Sequence, residues 1–458
     1  MNDLSTLQST IHNKLRTVST GVKLIVVCVL ALLMTIPAFF VSGLVEERTQ
    51  RREEVIKDIS SHVGGEQTLL GPTLAIPYTI PPQSAADSTK HGMYVVFPAQ
   101  GSASIRTTTE ERHRSLFKVP VFQADMKLDA NFDLTGVPTS LPPGAELDWN
   151  HAEIVIGVSD ARGALADGSL TVDGKAYTLV PAAICPDITI GDSNQPIRLI
   201  LLGVMAGTAA RPNSQFSVTS TLRFSGAQRL AMLAYGKTTH LTMQGDWPNP
   251  SFDGGYLPAN RTLSAQGFSA EWSVPFIARG VRAEGSGESL TGLGGTALGV
   301  SFIELVDPYQ SVNRSLKYVL LFLGLIFLSY FVFEVTTGKR VHPAQYVLVG
   351  IAQIIFYLLL LSFAERIGFD LAFLVAGTAT VSLLSINAGW VFASRKQAIK
   401  ASVIFTLLYI LIYLLLRLED NALLVGAIAS FIAVAAAMYL TRKINWYDSV
   451  SPKGVHEA

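Results

Sequence analysis

Serine, histidine and aspartate all occur between the first apolar run and the second, so acyl-transfer chemistry is allowed by content. The spacing does not support it. No G-x-S-x-G elbow, H-E-x-x-H helix, P-loop or G-x-G-x-x-G turn is present, and those reactions need their groups on such turns and helices. Three other places could do chemistry. Asp160, in GVSDARG after an apolar run, could hold a functional turn, although a carboxylate bonding its own backbone is the plainer reading. Arg112 and Arg114, in ERHR, could grip anionic lipid or peptidoglycan carboxylates, or simply mark a solvated strand end. Trp247 belongs to DWPNPSFDGGYLP, which could stack on a glycan or form a rigid corner covering an open sheet edge.

Polar groups inside apolar runs carry more weight, because lipid offers them no partner. Gln353 and Asn387 stand deep in two such runs; an amide there lines a pathway or bonds across helices, the latter worth about 1 kcal/mol. No run carries an unpaired charge at mid-depth, which disfavours proton-coupled transport. Glu334, at the end of its run, is expected to pair with Lys339 or Arg340. Glu365 with Arg366, and Arg417 with Glu419 and Asp420, make two charged loops that are expected to pair or to dock an external domain, docking being preferred. Thr378, Ser382, Ser385 and Gly389 form a small-residue face for close helix packing, as do Ala422, Gly426, Ser430, Ala433 and Ala437. No cofactor or metal is implied, and Cys28 and Cys185 are too far apart in the chain's organisation to suggest a disulfide.

The elements that position these groups follow from hydropathy. The 458 residues have only 15% charged side chains and zero formal net charge, with a mean hydropathy of +0.37, so part of the chain is solvated by lipid and a nucleic-acid partner is disfavoured. A helix needs about 20 apolar residues to cross a hydrocarbon core of about 30 Å. Runs of that kind lie at 24–44, 318–335, 346–363, 371–392, 402–418 and 422–440. The first reads as a retained anchor, kinked at Pro37. Lys14 and Arg16, Lys339 and Arg340, Arg395, Lys396 and Lys400, and Arg442 and Lys443 fall on one side of six spans, while the other loops are slightly acidic. That alternation puts both termini in the cytoplasm.

Residues 46–60 are charged and helix-prone, a stalk continuing the first helix. Beyond Gly64 and Gly65, short apolar runs such as TLAIPYTI, DMKLDANFDL, AEIVIGVS and SVTSTLRFSG alternate with proline and glycine, and Asp173-Gly174-Lys175 signals a hairpin. The fold class is therefore a polytopic α-helical membrane protein of six transmembrane helices with a large inserted all-β, sandwich-like extracytoplasmic domain. The expected organisation is a cytoplasmic N-terminus at 1–23, the first span at 24–44, the β-rich domain with its stalk at 45–317, a five-helix bundle at 318–440 and a cytoplasmic tail at 441–458.

The ordered blocks LLGPTLAIPY (69–78), EERHRSLFKVPVF (110–122), GVSDARG (157–163), WPNPSF (247–252), GFSAEW (267–272), LKYVLLF (316–322), FVFE (331–334), HPAQYVLVG (342–350), FYLLLLSFAERIGF (356–369) and LEDNALLVG (418–426) resemble the CreD family of inner-membrane proteins over nearly the whole chain. Ala344 stands where that family has a larger apolar residue, and Arg366 and Asn421 replace a histidine and a tyrosine. The resemblance implies no agreed enzymatic activity. It implies a role in Gram-negative envelope stress, in the regulon of a two-component sensor, linked to envelope integrity, colicin tolerance and β-lactam response. Two functions follow as expectations. One is a non-catalytic envelope protein, its bundle in the lipid bilayer and its periplasmic β-domain binding an envelope protein. The other is a lipid or glycan handling protein that passes an apolar ligand between bundle and domain.

Overall fold

A computed structural model of the chain describes residues 20–82, 88–114, 117–191, 196–302, 308–417 and 422–442. The chain divides after Arg51 and after Leu305 into two compact units, one helical and one β-rich. The helical unit begins with α1 (Thr20–Leu33) and α2 (Thr35–Val63), which meet at Met34. Pro37 explains the break: it has no N–H for the Leu33 carbonyl and its ring crowds that group. The Thr35 hydroxyl donates to Leu32 O at 2.6 Å beside it.

After the β-rich unit come α3 (Pro308–Lys317), α4 (Val319–Thr337), α5 (Pro343–Ile367), α6 (Phe369–Val391), α7 (Arg395–Arg417) and α8 (Ala422–Thr441). The continuous stretch of α1 and α2, with α4, α5, α6 and α7, makes five segments long and apolar enough to cross a bilayer. The sixth expected run forms α8, whose apolar stretch Leu424–Ala436 is shorter among the described residues. Helix α3 lies within the range expected for the β-rich domain but packs on α5 and α7. Its pattern explains why: Tyr309, Val312, Ser315 and Leu316 are buried on one face, while Gln310, Asn313 and Lys317 are exposed. Aromatic rings fill the bundle, Tyr409 lying 4.9 Å from Phe322 and 5.0 Å from Phe356, and Tyr330 stacking on Phe405 at 5.6 Å.

The β-rich unit holds two sheets, with 11 and 8 strands among the described residues. In the first, Glu153–Val158 and Gln67–Ile80 lie centrally and Pro250–Gly254 is an edge. The second is built on a ribbon of Gln100–Arg114 against Phe117–Asp133, in register from Gln100 opposite Asn131 to Arg114 opposite Phe117. Side chains alternate in and out along Gln215–Ala227 as the sequence suggests, and one apolar core fills the space between the sheets. Val172 faces Lys175 across the Asp173-Gly174 turn, whose φ values of 44° and 86° are those of a tight two-residue hairpin.

Two features depart from the sequence reading. Pro250–Gly254, taken as part of a corner over an edge, is itself an edge strand paired with Ala297–Phe302; proline is tolerated at its first position. Gln100–Arg114 was anticipated as a strand only at its ERHR end, because its inward positions Gly101, Ala103, Ile105 and Thr107 include one large apolar residue alone.

Tyr235 shows why Gly101 has no side chain. Fully buried between the sheets, its hydroxyl lies 2.8 Å from both Ser102 O and Asp129 O. A β-carbon at Gly71 or Gly101 would stand 2.5 and 2.6 Å from its ring. Gly71→Val should lower the stability of the full-length protein by about 1–3 kcal/mol through overpacking. Tyr235→Phe should cost about 1 kcal/mol. Thermal unfolding of the purified variants checks both.

Candidate functional site

In the β-rich unit, residues 63–68, 159–163 and Ser225 converge where the end of α2 enters the sheets. Gly64 and Gly65 turn the chain with φ of 92° and 60°. Gln67, fully buried, donates from Nε2 to Gly64 O at 2.7 Å and to Asp160 O at 3.0 Å. The Ser159 hydroxyl donates to Glu66 O and accepts from Thr68 N, each at 2.9 Å. Ser225 Oγ lies 2.9 Å from Val63 O, satisfying a carbonyl at the helix end. A β-carbon at Gly64 would meet Gly163 Cα at 2.6 Å, and one at Gly163 would meet Ser225 O at 2.4 Å, so backbones touch here directly.

Asp160 sits at this junction as a cap. Its Oδ1 accepts from Arg162 N at 2.9 Å, and its carboxylate is gripped by the Arg162 guanidinium at 2.6–3.1 Å. That hydrogen-bonded guanidinium holds the carboxyl below its ordinary value. Arg114 pairs with Asp58 on α2, and Arg112 with Glu110 at 2.8 Å. Trp247 is only 9% exposed, donates from Nε1 to Asn249 O at 3.2 Å and meets Phe302 edge-on, so its ring face is not offered to a glycan.

One buried cation in this unit escaped the sequence reading. Arg279 is 2% exposed, donates from Nε to Ala234 O at 2.8 Å and lies 3.9 Å over the Phe97 ring. Among the described residues its Nη1 and Nη2 atoms have no hydrogen-bond partner. Burial pulls its pKa down to about 10. Nothing in the pattern VPFIARG signals burial of an arginine.

In the helical unit, tyrosine is the common partner of the acceptors. Tyr330 OH of α4 donates to Asn387 Oδ1 of α6 at 3.1 Å, and Asn387 Nδ2 reaches Gln345 Oε1 of α5 at 3.3 Å. Tyr409 OH of α7 donates to Gln353 Oε1 of α5 at 3.1 Å. Tyr309 OH of α3 donates to Glu365 Oε1 at 2.9 Å, with Arg48 Nε 4.0 Å from the same oxygen. Tyr413 OH donates to Asp370 Oδ1 at 3.1 Å, and Arg417 pairs with that aspartate. Glu419 and Asp420 lie outside the described residues. Gln353 Nε2 and Tyr357 OH are buried without a hydrogen-bond partner among the described residues.

Glu334 differs from expectation in its cation. It pairs with Lys23 of α1, while Tyr346 OH and Val341 N each donate to it at 2.9 Å. Lys339 instead donates to Phe392 O at 2.6 Å. The physical reason is the chain's turn after α4, which brings the Val341 amide onto the carboxylate, where Lys23 also donates to Val341 O at 2.8 Å. The small face of α6 is also used differently from the reading: Ser385 is buried, but Thr378 and Ser382 are exposed and line an open groove.

Three expected outcomes follow. Asp160 has a depressed folded pKa, so its contribution to stability is present above the unfolded value of about 4 and is lost as pH falls through the folded value. Asp160→Asn should therefore make the fall in melting temperature between pH 5 and pH 3 shallower than in the parent protein. Lys23→Met leaves a buried carboxylate without its cation, and should destabilise the detergent-purified protein by roughly 2–4 kcal/mol. Tyr409→Phe, which strips Gln353 Oε1 of its donor, should cost about 1 kcal/mol in the same thermal assay.

Similarity to known proteins extends along nearly the whole chain. The family described as "Inner membrane protein CreD" matches residues 19–447. The curated Inner membrane protein CreD of Escherichia coli (strain K12) is 30% identical over 437 residues, covering 92% of each chain. The chain is thus a multi-pass inner-membrane protein that belongs to the CreD family.

Proposed function

We propose that this chain acts without catalysis in envelope integrity under stress, its bundle anchoring a periplasmic β-rich domain that binds an envelope protein. In this reading the bundle has six spans and both termini are cytoplasmic, which the alternation of loop charge supports. One observation carries the non-catalytic part. The acceptors inside the bundle that would serve a reaction or a pathway, Gln353, Asn387, Glu334 and Glu365, each receive a tyrosine O–H from another helix. Groups bonded in that way hold helices together and are not free to take up a substrate. Asp160, the strongest candidate outside the bundle, is likewise engaged by its own turn.

Deletion of the gene, followed by complementation, tests the proposal. The deletion strain should show altered tolerance to detergent and β-lactam. Variants Asp160→Ala, Gln353→Leu and Asn387→Leu that still fold and accumulate should restore the parental phenotype. A single such variant that accumulates normally, melts like the parent and yet fails to complement would overturn the non-catalytic reading.

A further inference from the structure

The uncovered half of α6 forms, with α7, a groove of about 640 Å³ open on the side of the bundle. Small residues at its centre, Gly377, Thr378, Ser382, Ser402 and Thr406, leave it open between larger flanking side chains. Gly377 faces the Tyr409 ring, where a β-carbon would already stand 3.3 Å away, and Thr378 and Ser382 are met across the groove by Ser402 and Thr406. The Thr378 hydroxyl donates back to Leu374 O at 2.6 Å, so its methyl group faces outward. The groove is therefore lined by apolar surface although its sequence is rich in hydroxyls.

Its length and its mouth suggest what fills it. The lining runs along α6 from Asp370 to Ser382, about 18 Å at 1.5 Å per residue. That is close to one leaflet of a hydrocarbon core about 30 Å thick. The mouth carries both signs of charge. Arg417 and Asp370 pair there, each with half of its side chain exposed. Tyr413 holds them, donating to Asp370 Oδ1 at 3.1 Å and accepting from Arg417 Nε at 3.3 Å. A guanidinium has five N–H donors, so Arg417 retains donors for a phosphate beside its bond to the aspartate.

We propose that this groove is a binding site for one zwitterionic aminophospholipid, its acyl chain along Gly377 and Thr378 and its headgroup at Arg417 and Asp370. A phosphate next to the guanidinium and an ammonium next to the carboxylate complete the charges at the mouth. A phosphatidylglycerol headgroup supplies the phosphate but no cation for Asp370, and is disfavoured there. Among the described residues α8 packs on α4 and α7 and contributes none of the groove's lining.

The test uses the full-length protein in mild detergent, exchanged into an equimolar mixture of phosphatidylethanolamine and phosphatidylglycerol and read by native mass spectrometry. One phosphatidylethanolamine per chain should survive delipidation, with at least a tenfold preference over phosphatidylglycerol. Thr406→Phe and Thr378→Phe, which fill the groove from exposed positions, should each cut the retained lipid tenfold. Asp370→Asn should erase the preference between headgroups, and Arg417→Gln should release both lipids. Melting temperatures within a few degrees of the parent's would show that each variant folds. Equal retention of the two lipids, unchanged by the filling variants, would mean ordinary annular lipid and would overturn the proposal. So would a lipid-free dimer that Thr406→Phe converts to a monomer, since the groove would then hold a second copy of the chain.

Discussion

Inside a bilayer no water stands ready to replace a lost hydrogen bond, and that constraint governs the helical unit. The chain meets it chiefly with tyrosine. A phenol is long, largely apolar and tipped with one donor, so it can cross a helix interface and still leave hydrocarbon-like surface around the bond. Tyr330, Tyr346 and Tyr409 do this in the interior, and Tyr309 and Tyr413 nearer the helix ends. Their partners are amides and carboxylates that would otherwise be the most reactive groups in the bundle.

This division of labour also bears on how the helices are held. Apolar packing alone distinguishes poorly between one rotation of a helix and the next, because lipid is as apolar as the helix surface. A bond from Tyr330 to Asn387 fixes the rotation of α4 against α6, and one from Tyr409 to Gln353 fixes α7 against α5. The β-rich unit solves a related problem by contact. At the end of α2, glycine at 64 and 163 lets backbone meet backbone, and Gln67, Ser159 and Ser225 take up the carbonyls that such a meeting leaves.

Much of this was legible in the sequence where the signal is additive over many residues. Apolar runs placed the long helices, alternation placed Gln215–Ala227, and Asp173-Gly174 placed its hairpin. What escaped depends on partners far along the chain. The start of Gln100–Arg114 hides as a strand because the Tyr235 ring leaves no room for a side chain at Gly101. Glu334 has two cations close by in sequence, yet it takes Lys23. Trp247 looked available, but its burial against Phe302 follows from a strand partner some fifty residues on. The roles of Arg112 and Arg114 were open in the sequence because their partners, Glu110 and Asp58, are themselves ordinary surface residues.

The pair of Lys23 and Glu334 spans 311 residues of chain. Ribosomes add roughly 5–20 residues per second, so α1 waits on the order of 15–60 seconds before its carboxylate exists. Throughout that interval the entire β-rich unit is made. The first helix must therefore be stable in the membrane as a single anchor, with its lysine reaching water at the bilayer edge. Assembly of the bundle becomes a late closing event, and a stalled or truncated chain would leave behind the β-rich unit on one unpartnered helix.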